Sequence, residues 1–378
     1  MEFKPEKKLG FGLMRLPQKN PNDAADLDLD RVKAMVDLFM ERGFTYFDTA
    51  WMYCGFASED AARVALVERY PRESFTLADK LHDGFIETED DRDKIFSAQL
   101  RKTGAGYFDY YLIHGIEEDT IGKYESLHCF EWLLEKKRAG LVRHAGFSFH
   151  ASPELLDRLL TQYPEMEFVQ LQINYLDWES PWILSRACYE VAVRHGKSVV
   201  VMEPVKGGTL ARLPEEAAQA FRSLDENASP ASWAVRFAAS LENVMVVLSG
   251  MSTLDQVRDN TDYMADFKPL TEAEKAACFR AAEAIRSQIA VPCTGCSYCT
   301  EGCPMHIAIP QYFSLYNEEA RERRGDDKWT INFSNYERLT KVFGKPEDCI
   351  GCGQCEGVCP QHLPITEYLP KVADYFRE

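Results

Sequence analysis

The chain has 378 residues, with 43 Lys and Arg against 60 Asp and Glu, and a formal net charge of -17. Its length suits two domains, or one large domain with an appendage, and 46% hydrophobic residues suffice for a full core. The acidic balance argues against a nucleic-acid surface or an anionic membrane partner, both of which draw clustered Lys and Arg.

In chain order, Lys8–Met14 reads as a strand interrupted by two glycines. Leu29–Arg42 follows as an amphipathic helix, with Val32, Met35, Val36 and Phe39 on the 3.6-residue period. Phe44–Ala50, Phe75–Lys80, Asp109–His114 and Arg143–Ser148 are apolar strand patterns. Helical stretches over 58–69, 89–103, 124–138 and 153–162 follow them in turn. Phe168–Ile173, Ser198–Met202 and Val244–Ser249 are strands too, followed by helical stretches over 181–195, 229–240 and 253–265. Gly43 and Gly140 stand where C-terminal caps belong, and Ser152-Pro153 opens a helix as N-cap and first-turn proline.

Strands alternating with helices mean a parallel sheet. Eight repeats over about 265 residues match an α/β fold of the closed (β/α)8 TIM-barrel type, typically about 250 residues. An open doubly wound sheet would carry a Gly-rich turn after its first strand, and Gly10-x-Gly12 lacks the third glycine and the following helix. A helix at 271–290 leads out of the barrel. The expected division is a barrel over 1–290 and a small, mainly helical module over 291–378, punctuated by Cys, Gly and Pro.

Eight of the twelve cysteines lie in that module. Cys293-x2-Cys296-x2-Cys299-x3-Cys303-Pro304 is repeated as Cys349-x2-Cys352-x2-Cys355-x3-Cys359-Pro360. This is the spacing of two-cluster ferredoxins, in which three thiolates wrap one cluster and the fourth reaches the other. By that rule Cys293, Cys296, Cys299 and Cys359 hold one 4Fe–4S cluster, and Cys349, Cys352, Cys355 and Cys303 hold the second. Two four-cysteine zinc sites are the competing reading, but zinc has no need of the third Cys followed by x3-C-P. Cys54, Cys129, Cys188 and Cys278 read as buried small hydrophobes. The opening MEFKPEKKLG has no apolar segment behind its charges, and no run approaches the roughly 18 residues of a membrane span. A reducing cytoplasm and no membrane are therefore expected.

At strand ends sit Asp48, Lys80 and His114, with Tyr53 five residues past Asp48. A lysine closing an apolar strand needs a partner in a dry place. Paired with Asp48 and set beside Tyr53, Lys80 lowers the phenol's pKa from about 10. Tyr53 then gives a proton to a carbonyl oxygen as hydride reaches the carbon, and His114 orients that oxygen.

With Asp48-Thr49-Ala50, Tyr53, Ser58-Glu59, Lys80 and His114 in this order, residues 7–265 resemble the aldo/keto reductases, and the whole chain resembles their ferredoxin-fused subgroup. The resemblance implies an NADP(H)- or NAD(H)-dependent oxidoreductase acting on a small-molecule aldehyde or ketone. It places Gly12 and Met14 under the cofactor, and Ser148 and Gln170 on the carboxamide, with Phe149 replacing the usual Asn. Pro204 and Lys206 fall in the loop over the pyrophosphate. Gly250, Met251, Ser252, Gln256, Asp259 and Asn260 fall at the adenosine end, where backbone N–H groups favour phosphate. Trp51, Tyr175, Trp178 and Trp182 are candidates for an apolar substrate pocket or for core.

A hydride carries two electrons and a cluster passes one, so a flavin is the usual converter; no flavin motif is visible, and such sites leave weak traces in barrels. Three readings follow: a reductase whose clusters exchange electrons with an external ferredoxin- or flavodoxin-like carrier; the same reductase with structural or oxygen-reporting clusters; and a redox-responsive nicotinamide-binding module with little turnover.

Overall fold

The computed structural model describes residues 4–20, 23–180, 183–288, 290–322 and 331–377. Eight parallel strands close into a barrel in sequence order: β1 (Leu9–Gly12), β2 (Tyr46–Asp48), β3 (Thr76–His82), β4 (Phe108–Ile116), β5 (Val142–Phe149), β6 (Phe168–Gln172), β7 (Ser198–Met202) and β8 (Val244–Gly250). β1 pairs with both β2 and β8, which completes the ring. The expected strand with two glycines is thus the strand that closes the barrel.

The helices follow the periodicity with three breaks. The 58–69 stretch is helical over Ser58–Ala62 and then widens into a π turn. The 124–138 stretch divides into Ile121–Ser126 and Cys129–Arg138 at His128, φ 48°. The helix before β7 begins at Ser185, after Leu184 at φ 56°. Apolar spacing reports a face, and a single left-handed residue does not disturb it. Gly43 and Gly140 are left-handed caps, and the Ser152 hydroxyl accepts from the Leu155 N–H at 3.2 Å.

Inside the ring, Tyr46, Tyr110, Leu112, Phe168, Val200, Met245 and Leu248 form a buried cluster. The Tyr110 ring lies 5.1 Å from Tyr46 and 5.4 Å from Phe168. Space here is tight: a Cβ on Gly146 would come within 2.5 Å of the Phe168 carbonyl oxygen on the neighbouring strand. Any side chain at 146 therefore opens the β5–β6 pairing.

Two compact units emerge. The first is residues 1–180, 184–205 and 231–275; the second is 181–183, 206–230 and 276–378. The second unit has its own core, built from Val291, Ile307, Tyr312, Phe313, Ile365, Leu369 and Val372. Its two cysteine runs share a backbone plan. Gly295 and Gly351 have φ 72° and 69°, Ser297 and Gly353 have 70° and 73°, and His306 and His362 have 52° and 47°. Each run contains a one-turn helix around its third cysteine, Tyr298–Glu301 with Cys299 or Gln354–Gly357 with Cys355. Then comes a longer one, Ile309–Glu322 or Ile365–Arg377. No helix among the described residues is long and apolar enough to cross a membrane.

Candidate functional site

Strand register gathers the polar residues at the carboxyl ends of the strands, the catalytic end of such barrels. Gly12 pairs with Asp48 on one side and Gly250 on the other. His82 lies opposite His114, and Ser148 opposite Gln170. Tyr53 follows β2, and the next three residues, Cys54, Gly55 and Phe56, are all left-handed. Such strained turns hold only where the surroundings over-determine them. Here the Ala57 N–H bonds back to the Cys54 carbonyl, and the Cys54 thiol lies 3.4 Å from the carbonyls of Leu13 and Met14.

Lys80 is fully buried and Asp48 nearly so. The Lys80 ammonium donates to Asp48 Oδ1 at 2.6 Å and to the Thr49 carbonyl at 2.6 Å, and reaches the Tyr53 hydroxyl at 3.4 Å. Burial opposes its charge, but Asp48 and Tyr53 outweigh burial and hold the lysine pKa above its usual value. Burial pushes the Asp48 carboxyl upward against the pull of Lys80. His114 completes the group, its ring edge-on to Tyr53 with centroids 6.0 Å apart. Burial first, then the charges of Lys80, His82 and His150, drive His114 well below the ordinary histidine range. The imidazole is therefore neutral near pH 7 and donates from one nitrogen only.

A clamp behind Lys80 has no counterpart among the residues expected from sequence. The Gln99 amide donates to Asp79 Oδ1 and to the Lys80 carbonyl, both at 2.9 Å, and accepts from the Tyr111 hydroxyl. Asp79 Oδ1 also takes the Lys80 N–H at 2.8 Å. Two polar side chains inside apolar patterns, Asp79 and Gln99, were the available signal. His82 is a second omission. It lies two residues past Lys80 on the same strand, and its ring centroid is 5.2 Å from that of His114.

The residues expected around a nicotinamide divide. The Ser148 hydroxyl accepts from the Gly115 N–H at 2.6 Å, which leaves its own proton to donate. Gln170 is buried, its amide 3.5 Å from the Met202 sulfur, while its carbonyl oxygen has no hydrogen-bond partner among the described residues. An orphaned buried acceptor fits a carboxamide N–H. Met14 is 45% exposed, and Gly250 packs against the Arg15 side chain. The Ser252 hydroxyl donates to the Arg15 carbonyl at 2.7 Å.

At the adenosine end the expected side chains also have partners within the protein. Gln256 closes a capping box with Thr253: its carbonyl oxygen accepts from the N–H groups of Ser252 and Thr253 at 2.7 and 3.2 Å. The Asn260 amide donates to Ser249 and accepts from Tyr263, both at 2.6 Å. Gln256 caps the Leu254–Ala265 helix, Asn260 ties it to β8 through Ser249, and the Met251 side chain is fully buried. Asp259 is half-buried and Pro204 buried. Lys206, expected over the pyrophosphate, is also buried, and its ammonium donates to the Gln361 side chain at 2.7 Å. Of the aromatic candidates, Tyr175 is core, packed against Phe237 like Trp178, and Trp182 lies outside the described residues.

In the second unit, one hollow is lined by Cys303 together with Cys349, Cys352 and Cys355. The fourth cysteine of the first run therefore faces the first three of the second. Conversely, Cys293, Cys296 and Cys359 all act electrostatically on Cys299. Burial pushes the Cys293 thiol up to about 11 and that of Cys299 up to about 12. Four thiols around each of two positions are the donor set of a thiolate-ligated cluster, and the crossed grouping fits the ferredoxin rule. Among the described residues no three His, Cys, Asp or Glu side chains close on a single point as one ion would need. Cys54, Cys129, Cys188 and Cys278 are buried, and none of the twelve cysteines is in a disulfide.

Residues 8–283 match the aldo/keto reductase family. The chain belongs to that family. Residues 292–363 of this aldo/keto reductase match the 4Fe-4S dicluster domain. Among solved structures, the aldo-keto reductase AKR11C1 from Bacillus halodurans in its holo form superposes with a TM-score of 0.60 at 26% identity, covering 73% of this chain and 92% of that one. An aldo-keto reductase from Klebsiella pneumoniae in complex with NADPH shares the fold, with a TM-score of 0.58, 16% identity, and 72% and 90% coverage. One subunit of the ion-translocating oxidoreductase complex of Buchnera aphidicola subsp. Acyrthosiphon pisum is 32% identical over 77 residues, which is 20% of this chain and 13% of that relative. The reductase thus spans a small part of that curated relative.

Proposed function

We propose that this aldo/keto reductase reduces a small aldehyde or ketone with NADPH or NADH, and that two 4Fe–4S clusters in its second unit exchange single electrons with an external ferredoxin- or flavodoxin-like carrier. The observation that carries the reductase reading is the buried Lys80 ammonium, set between Asp48 at 2.6 Å and the Tyr53 hydroxyl at 3.4 Å. A fixed charge there favours loss of the phenol proton.

A reduced nicotinamide, held by residues such as Ser148 and Gln170, would supply the hydride. Tyr53 donates its proton to the substrate oxygen as negative charge grows there, and Lys80 stabilises the oxygen that Tyr53 is left with. Asp48 and the Thr49 carbonyl hold the ammonium on that line. His114, kept neutral, orients the substrate oxygen by a hydrogen bond. Gln170 and Ser148 supply an acceptor and a donor to the carboxamide. Clusters held by the crossed cysteine sets would supply one-electron transfer. Cys296 and Cys352 are exposed, which supports exchange with a carrier in solution.

The test is Tyr53→Phe. Carbonyl reduction falls by about 10²–10⁴ while nicotinamide affinity is retained. An unchanged rate of a chemistry-limited step refutes the assignment. Anaerobic spectra with and without NADPH separate electron-exchanging clusters from structural ones.

A further inference from the structure

A lysine ammonium loses several kcal/mol of hydration when buried, so it is placed where negative charge faces it. Lys206 is such a group: it is 4% exposed, in a left-handed conformation with φ 47°, at the start of the 206–230 segment that belongs to the second unit. Its ammonium donates at 2.7 Å to Gln361, which is 9% exposed and lies two residues beyond Cys359. Its charge also acts on Cys293. Cys293 and Cys359 come from opposite ends of the cysteine-rich segment and belong to the same crossed set. A buried cation therefore sits beside one set of thiols.

The potential of an iron–sulfur cluster depends on net charge, hydrogen bonding and exposure around it. One-electron reduction adds one negative charge to the cluster and its thiolates. A cation held nearby in a dry place favours the reduced form. We propose that Lys206 is an electrostatic tuning residue, which raises the reduction potential of the cluster held by Cys293, Cys296, Cys299 and Cys359 and leaves that of the second cluster unchanged. This rests on the two-cluster reading above.

The experiment is an anaerobic potentiometric titration of the full chain with dithionite, followed by electron paramagnetic resonance. Iron and acid-labile sulfide are measured beforehand. Wild-type protein lacking both overturns the cluster reading itself, a different failure from that of the tuning role. In Lys206→Met, the equilibrium for reducing one cluster falls at least about tenfold, which is about 59 mV for one electron. The other potential stays in place. The moved signal is the one lost in Cys296→Ser, and Lys206→Arg restores most of the shift because it returns the charge. If Lys206→Met binds less iron than wild type, Lys206→Gln is titrated under the same criteria. Two unmoved potentials, equal shifts of both, a shift in the signal lost in Cys352→Ser, or no recovery in Lys206→Arg would each overturn the proposal.

Discussion

Lys80→Met tests the electrostatic core of the barrel. The substitution keeps most of the volume of a fully buried side chain and removes its charge. Three contacts disappear: Asp48 Oδ1 at 2.6 Å, the Thr49 carbonyl at 2.6 Å and the Tyr53 hydroxyl at 3.4 Å. Asp48 Oδ2 has no hydrogen-bond partner among the described residues, so the carboxylate is left buried with little to hold it. Breaking a buried pair by removing one partner costs about 3–5 kcal/mol. For a unit of this size that corresponds to a fall in melting temperature of about 6–20 °C. Carbonyl reduction falls at least about 10²-fold, because Tyr53 no longer has a cation to favour loss of its proton. Calorimetry or circular dichroism and a single-turnover assay on the same anaerobic preparation measure both. Asp48→Asn added to Lys80→Met recovers much of the melting temperature, since it removes the stranded charge, but restores no turnover. A Lys80→Met protein that melts and turns over like wild type refutes the reasoning. So does a double variant less stable than Lys80→Met.

Gln170→Leu removes the orphaned acceptor and weakens nicotinamide binding by roughly 2–12-fold, the worth of one ordinary hydrogen bond, without lowering the melting temperature. Fluorescence titration checks the affinity, and an unchanged Kd sends the carboxamide elsewhere. Cys303→Ser and Cys352→Ser leave the same residual cluster, with about four iron instead of about eight, because both residues line one hollow. Matching residual spectra for Cys303→Ser and Cys296→Ser would instead mean that each run holds its own cluster. Burial depresses both His114 and His82 in the folded chain. The unfolded chain therefore binds more protons once pH falls below about 6.5, and folding stability declines there, at a limit of about 1.4 kcal/mol per pH unit for a group still unprotonated in the folded chain. Melting temperatures at constant iron content should drop from pH 7.5 to 5.5, less steeply in His114→Gln; a flat wild-type profile contradicts this.

The strand–helix alternation, the Asp48, Tyr53, Lys80 and His114 order and the doubled cysteine runs were all legible in the sequence. Each is a local pattern: apolar spacing follows from backbone period, and ligand spacing from the geometry of the group to be held. Even the glycine-broken β1 was placed correctly, although only its pairing with both β2 and β8 explains why it is needed. The tertiary structure alone decided which polar atoms had been spent on the fold. Gln256 and Asn260, expected at the adenosine end, are engaged in a helix cap and in the tie to β8. Gln170 keeps an oxygen with no hydrogen-bond partner among the described residues. The Gln99–Asp79 clamp joins residues twenty apart. Lys206 and Gln361 meet across 155 positions of chain. No periodicity reports such meetings, because they depend on where separate segments arrive in space. A hydrogen bond at 2.7 Å is decided only once the chain has folded.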